Sequence, residues 1–154
     1  MNRDKFQDFL LRSAVVAMAC DGSIAKEEIT VLKNILESKI YFLGFDYEKT
    51  LAQNLNYIKS NGKDAVEQYL SDLTQIQLEQ KQKMILIEVL LDLIEADDHL
   101  AENEIVFLRL VQSKISIDDN LLIVNFPLSI KYLIDLKYND YHLDWEIVNN
   151  IKIP

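Results

Sequence analysis

The stretch Ala17-Met18-Ala19-Cys20-Asp21-Gly22-Ser23-Ile24-Ala25-Lys26-Glu27-Glu28-Ile29 returns 76 residues later as Leu93-Ile94-Glu95-Ala96-Asp97-Asp98-His99-Leu100-Ala101-Glu102-Asn103-Glu104-Ile105. Asp21 aligns with Asp97, Ile24 with Leu100, Ala25 with Ala101 and Glu28 with Glu104. The register continues through Ile29 and Ile105, Leu32 and Leu108, and Lys33 and Arg109. A shared Asp-x-x-(Ile/Leu)-Ala-x-x-Glu-Ile-x-x-Leu string marks an internal duplication. In each copy an apolar helical run meets a short acidic break and then a second helical run. Two such helix–loop–helix units can pack about a pseudo-two-fold axis, each covering the apolar face of the other. The fold class is therefore all-α, a compact helical bundle of about seven helices.

Working outward, Phe6, Phe9, Leu10, Ala14, Ala17 and Met18 follow the helical period and place a helix over 3–20. Ile29, Leu32, Ile35 and Leu36 place the next over 26–40. A turn containing Gly44 leads to a helix over 46–60, stopped at Asn61-Gly62, and a shorter one covers 63–74. The longest helix is expected over 77–96 and its partner over 102–114. Residues 116–120 read as a loop, followed by a short helix. Another is expected near 128–137, then a mixed tail with Tyr132, Tyr138, Tyr141 and Trp145. Only 3 Gly and 2 Pro occur, so few breakers oppose long helices. The expected division is a helical domain over 1–125 and a C-terminal extension over 126–154 packed on it.

The duplicated motif has a mechanical reading. With Ala25 and Ala101 as N-caps, Glu28 and Glu104 fall at the third helical position. From there a Glu side chain reaches back to the cap N–H. Ile24 with Ile29, and Leu100 with Ile105, then form hydrophobic staples. Alanine has no side-chain acceptor, so each capping box is half complete.

The same residues also have a chemical reading. Asp21, Gly22, Ile24 and Glu28 match the later positions of a calcium-binding EF-hand loop. The first and third positions of that loop need oxygen ligands. Here they are Ala17 and Ala19, and in the second copy Leu93 and Glu95, so neither copy is an EF-hand. If the two loops face each other, however, Asp21, Glu28, Asp97 and Glu104 bring four carboxylates together. Glu95 and Asp98 are weaker additions. Such an all-oxygen donor set suits a divalent cation, Ca²⁺ or Mg²⁺ before others. Between Met84 and Leu108 there are seven acids and no Lys or Arg. Glu88, Asp92 and Glu95 share one helix face, where like charges repel and a bound cation would relieve them. His99 is either a further ligand or a solvated loop residue. Capping alone and cation binding both remain open from the residues.

Catalytic groups are not evident. Cys20, His99 and His142 form no nucleophile–base motif, and there is no Gly-rich phosphate loop. No enzyme is expected. The net charge of -9 argues against a nucleic-acid partner and against docking on an anionic membrane. A single cysteine rules out an internal disulfide, and Cys20, in an apolar run, reads as a small core residue. Ala14–Cys20 resembles a lipoprotein cleavage site, but Arg12 beside it and Asp4 and Asp8 upstream do not suit a secretory segment. No run has the roughly 18 apolar residues that would make direct membrane insertion expected. A cytoplasmic protein with an unknown protein partner is the expectation, with the aromatic tail around Trp145 either a partner surface or packed back on the bundle. The oligomeric state is open.

The segment Ala17–Leu32 and its echo Leu93–Leu108 resemble the TerB-like domain family, which includes tellurite-resistance proteins and the N-terminal domain of a DnaJ-type membrane co-chaperone. The resemblance spans roughly residues 5–125. It implies an all-helical bundle with two such hairpins and an acidic metal-binding site in a stress-response role. Carried over residue by residue, it assigns Asp21 and Glu28 in the first motif and Asp97 and Glu104 in the second. Asp98 stands where the second motif usually has glycine, and Ala25 and Ala101 stand where Ser or Thr usually caps. Residues after 125 lie outside the resemblance.

Overall fold

The computed structural model describes residues 1–96, 101–129, 131–132, 142–149 and 151–154. Eight α-helices occur among them: α1 (Arg3–Ala19), α2 (Lys26–Ser38), α3 (Glu48–Asn61), α4 (Lys63–Leu73), α5 (Gln80–Ala96), α6 (Glu102–Lys114), α7 (Asp119–Asn125) and the single turn α8 (Trp145–Val148). Short 3-10 turns lie at Ile40–Phe42 and Pro127–Ser129. The described residues hold no strand, and their one isolated β-bridge joins Ser23 to Lys152.

Composition decides which helices become central. α1 is apolar nearly all round: Leu10, Leu11, Ala14, Val15, Val16, Ala17, Met18 and Ala19 are all buried. A helix of that kind must sit inside the bundle. It packs against α3, α4, α5 and α6. α5, the matching helix of the second repeat, buries Leu86, Ile87, Val89, Leu90, Leu91, Leu93 and Ile94. Contacts between the repeats are reciprocal: α1 meets α6 of the second unit and α5 meets α2 of the first, while α1 and α5 pack on each other. Neither unit buries its first helix alone.

Several polar groups taken into this core are hydrogen-bonded to one another. The Tyr69 hydroxyl on α4 donates to Ser13 Oγ at 2.7 Å, and Ser13 Oγ donates to the Phe9 carbonyl at 2.7 Å. Tyr69 stacks on Phe9, lies against Phe107, and carries the Arg12 guanidinium 5.4 Å from its ring centroid. Arg12 also pairs with Asp72 at 2.9 Å. Arg109, almost wholly buried on α6, forms a bidentate pair with Asp119 of α7 at 2.7 and 3.3 Å. Gln112 joins both of them at 3.0 and 2.7 Å. These bonds hold the Asp119 carboxyl below its ordinary range, the Arg109 hydrogen bond contributing most.

Helix boundaries follow local chemistry. Gly62, at φ 47°, stops α3, and its N–H donates to the Ile58 carbonyl. α5 begins at Gln80 rather than at 77. The Glu79 N–H donates to Gln82 Oε1 at 3.0 Å and Lys83 N–H to the Glu79 carbonyl, so Glu79 is the cap. α2 stops at Ser38, two residues short of expectation, where Lys39 turns extended and the 3-10 turn begins. Asp118 starts α7 inside the expected 116–120 loop by accepting from Leu121 N–H at 2.7 Å. Of the helix expected over 128–137, the chain shows the 3-10 turn and residues 131–132 as helical, and the rest lies outside the described residues.

The aromatic tail packs inward where it is described. Tyr132, Leu143 and Val148 are buried in the core. Trp145 is half-buried against it, with the Lys63 ammonium 5.6 Å from its ring centroid. Tyr138 and Tyr141 lie outside the described residues. Among the described residues no helix is long and apolar enough to cross a membrane.

Candidate metal centre

Each acidic hairpin is built locally. Gly22 occupies φ 90°, a conformation glycine adopts without the penalty of a side chain. Asp21 Oδ1 accepts from Ser23 N–H at 2.9 Å and so shapes the turn. Ala25 is the N-cap of α2, and its N–H donates to Glu28 Oε1 at 3.2 Å. Half of the box is therefore present, since alanine offers nothing to return. Ile24, the staple residue, is buried and Ile29 packs against the core. In the second hairpin Ala101 is again the cap, and Glu104 N–H and Ile105 N–H both reach its carbonyl.

Tertiary packing brings the hairpins together. Asp21, Glu28 and Glu104 each offer a carboxylate oxygen, and these three oxygens lie within 4.8 Å of one another. Asp21 and Glu28 are half-buried, whereas Glu104 is 6% exposed. Both repeats thus contribute to one acidic centre. Asp97 and Asp98, the remaining loop carboxylates of the second copy, lie outside the described residues, as do His99 and Leu100. A cavity of about 440 Å³ opens beside the trio, floored by Met18, Val31, Leu90, Ile94 and Phe107.

The donor set can be tested against an ion. Oxygen ligands sit 2.3–2.6 Å from Ca²⁺, so two ligands on opposite sides of one ion are about 4.6–5.2 Å apart. Three oxygens within 4.8 Å fit inside that limit. Mg²⁺ holds oxygens at about 2.0–2.1 Å, which limits the span to about 4.2 Å and requires the side chains to close slightly. The local field is strongly negative. Burial pushes the Cys20 thiol well up, and the charges of Glu104 and Asp21 push it further the same way. Cys20 is fully enclosed, the small core residue that its apolar surroundings indicate.

The acidic face of α5 has a different fate from that expected of it. Asp92 pairs with Lys39 at 3.4 Å, and Glu95 pairs with Lys131 at 3.0 Å. Glu95 also lies beside the Tyr132 hydroxyl, which with Lys131 holds its carboxyl below the ordinary value. Glu88 lies beside the Tyr41 hydroxyl. Repulsion along this face is relieved by two lysines and two phenols from other elements. Glu95 therefore faces Lys131 instead of the acidic trio. Asp92 is half-buried, and that burial raises its carboxyl pKa while Lys39 opposes the rise.

Asn103 has no signal in the sequence. It sits in the first turn of α6, beside Glu104, and is 5% exposed. Its Nδ2 donates to the Cys20 carbonyl at 2.9 Å and to the Asp144 carbonyl at 3.1 Å, and its Oδ1 accepts from Asp144 N–H at 2.8 Å. Every hydrogen of that amide is used. Beyond Asp21, Lys152 closes a small parallel bridge: Ile24 N–H donates to the Lys152 carbonyl at 2.8 Å, and Lys152 N–H to the Gly22 carbonyl at 3.0 Å. Ile147 and Lys152 therefore flank the first loop.

Two reciprocal helix–loop–helix units, with carboxylates from both converging, define an all-helical domain with an acidic centre. A family model described as tellurite resistance protein TerB matches residues 10–123, and the chain belongs to that TerB family. The matched span contains α1 from Leu10 onward, α2 to α6, most of α7 and both acidic motifs. Comparison with curated proteins and with solved structures finds no match.

Proposed function

We propose that this TerB domain is a non-enzymatic module that holds a divalent cation, Ca²⁺ or Mg²⁺, between its two acidic hairpins, in a stress-response assembly of the kind the family name suggests. The observation that carries this reading is the convergence of Asp21, Glu28 and Glu104 oxygens within 4.8 Å, one of them on a buried side chain. Carboxylates so placed repel one another unless something positive lies between them, and an oxygen-only set selects hard cations. Asp97 is the natural fourth donor by its repeat position, and Asp98 is a weaker addition. The bound ion would join the two units through side chains of both, and thereby couple ion occupancy to the packing of the bundle. Calorimetric titration with Ca²⁺, Mg²⁺, Mn²⁺ and Zn²⁺, with melting curves in chelator and in millimolar ion, tests it. Binding heat and a raised Tm are expected with at least one of them. No heat and no shift with any of the four rejects the cation role.

A second reading, a metal-free interaction module, draws on a different face. Val124 at the end of α7 and Leu128 in the following turn are 76% and 77% exposed. Two large apolar side chains left in water four residues apart are a candidate contact for a protein partner. A Val124→Ser, Leu128→Ser double variant that recovers every partner of the unchanged protein removes this surface from the role.

A further inference from the structure

The two acids of the candidate centre that come from different repeats are each one residue from a group that ties the repeats together. Cys20 precedes Asp21, and Asn103 precedes Glu104. The Asn103 amide bonds the Cys20 carbonyl at 2.9 Å, so a single side chain sets the spacing between the two carboxylate-bearing backbones. The same amide is locked from behind by the Asp144 backbone at 2.8 and 3.1 Å. On the far side of Asp21, the Lys152 backbone bonds both Gly22 and Ile24. Gly22 also lies close under the turn of α8: a Cβ there would stand 2.7 Å from the Ile147 carbonyl oxygen. The loop Cys20–Ile24 is therefore clamped at both ends by residues that are not candidate ligands, and most of those clamps belong to a segment beyond the family match.

We propose that Asn103 and the C-terminal residues 142–149 and 151–154 form a positioning strap for the acidic centre, so that docking of these residues and occupancy of the centre reinforce each other. Asn103 and the Lys152 backbone act through Asp21 and touch no ion. Linkage makes the effect reciprocal: an ion that requires the clamped loop tightens the strap, and anything that pulls the strap away weakens the ion by the same factor. A partner that captures residues 142–154 would thus release the ion. This inference rests on the cation reading above for its functional half, while the strap itself is read separately.

The experiment uses the full chain with Asn103→Ala, Lys152→Pro and Lys152→Ala. Asn103→Ala removes all three amide bonds. Lys152→Pro removes the N–H that meets Gly22, and Lys152→Ala keeps it. Ca²⁺ affinity is measured by calorimetry, strap docking by the emission of Trp145, the only tryptophan, and loop clamping by amide exchange at Ile24. Affinity is expected to fall about tenfold or more in Asn103→Ala and Lys152→Pro, the range seen when groups that orient metal ligands are lost. Lys152→Ala is expected to bind as the unchanged protein does. Ca²⁺ should slow exchange at Ile24 in the unchanged protein and do so less in the two clamp variants. Folded variants that bind Ca²⁺ with unchanged affinity, or ion addition that leaves Ile24 exchange unaltered, overturn the coupling. If the unchanged protein binds no ion, the cation reading and the coupling both fail. The strap is then decided by exchange alone: faster Ile24 exchange and altered Trp145 emission in Lys152→Pro support it, and no change in either overturns it.

Discussion

Replacing Glu104 by Gln separates a structural cap from an ion ligand, because only the ligand role predicts that the effect on stability reverses when ion is added. The substitution keeps volume and hydrogen-bonding capacity and removes one charge. Two unit charges within 4.8 Å of each other repel by about 3.5 kcal/mol at an effective dielectric of about 20. Asp21 and Glu28 are half-exposed, so solvent and salt cut each pair to about 1 kcal/mol. Removing the Glu104 charge relieves two such pairs. Ion-free Glu104→Gln should therefore be more stable by about 1–2 kcal/mol, a rise in Tm of about 3–6 °C in chelator for a domain this size. With ion the order reverses. A cation present at a hundredfold excess over its Kd stabilises the unchanged protein by about 2.7 kcal/mol, and that increment should vanish in the variant. The assay is thermal melting by circular dichroism in chelator and in millimolar Ca²⁺. Gln serves nearly as well as Glu in a capping box, so a Glu104 that binds no ion gives the same small rise in Tm in both buffers. A variant that melts lower in chelator and still gains the full increment from Ca²⁺ refutes the reasoning.

Gly22→Ala should cost about 2 kcal/mol, because φ 90° is strained for a side chain and the new Cβ meets the Ile147 carbonyl at 2.7 Å. A lower Tm with altered Trp145 emission is expected, and an unchanged melt refutes the close approach. Asp119 titrates below its ordinary value because Arg109 and Gln112 bond its charged form. Its contribution is complete above the unfolded pKa and is lost as pH falls through the lower folded one. Stability measured by urea from pH 7 down to about pH 2 should fall less steeply in Asp119→Asn, and by only about 1 kcal/mol since the carboxylate is half in solvent. Tyr69→Phe removes the hydroxyl that donates to Ser13 and should destabilise by about 1 kcal/mol in denaturant titration. No loss there means that Ser13, still bonded to Phe9, needs no second partner.

What the chain states on its own is local and repetitive. The 76-residue offset, the start of α2 at Lys26 and of α6 at Glu102, the glycine stop at Gly62 and the Glu28 reach-back to Ala25 all depend on groups within a few residues of each other. Periodicity and capping are short-range physics, and a sequence displays short-range physics directly. The central place of α1 follows from its apolar run over Ala14–Ala19, since a helix apolar nearly all round has nowhere else to go. Candidate ligands Asp21, Glu28 and Glu104 could be named because the duplication pairs them, but their approach to within 4.8 Å could not, since it depends on how two units 76 residues apart dock. Packing alone decided that Lys39 and Lys131 neutralise the acids of α5, taking Glu95 towards Lys131. It also decided that Asn103, an ordinary polar residue in the first turn of a helix, bonds Cys20 and Asp144, and that Lys152 meets Gly22 and Ile24 through backbone atoms. Backbone hydrogen bonds carry no side-chain signature. Charge pairs between distant elements depend on distances that close only when the whole core has assembled.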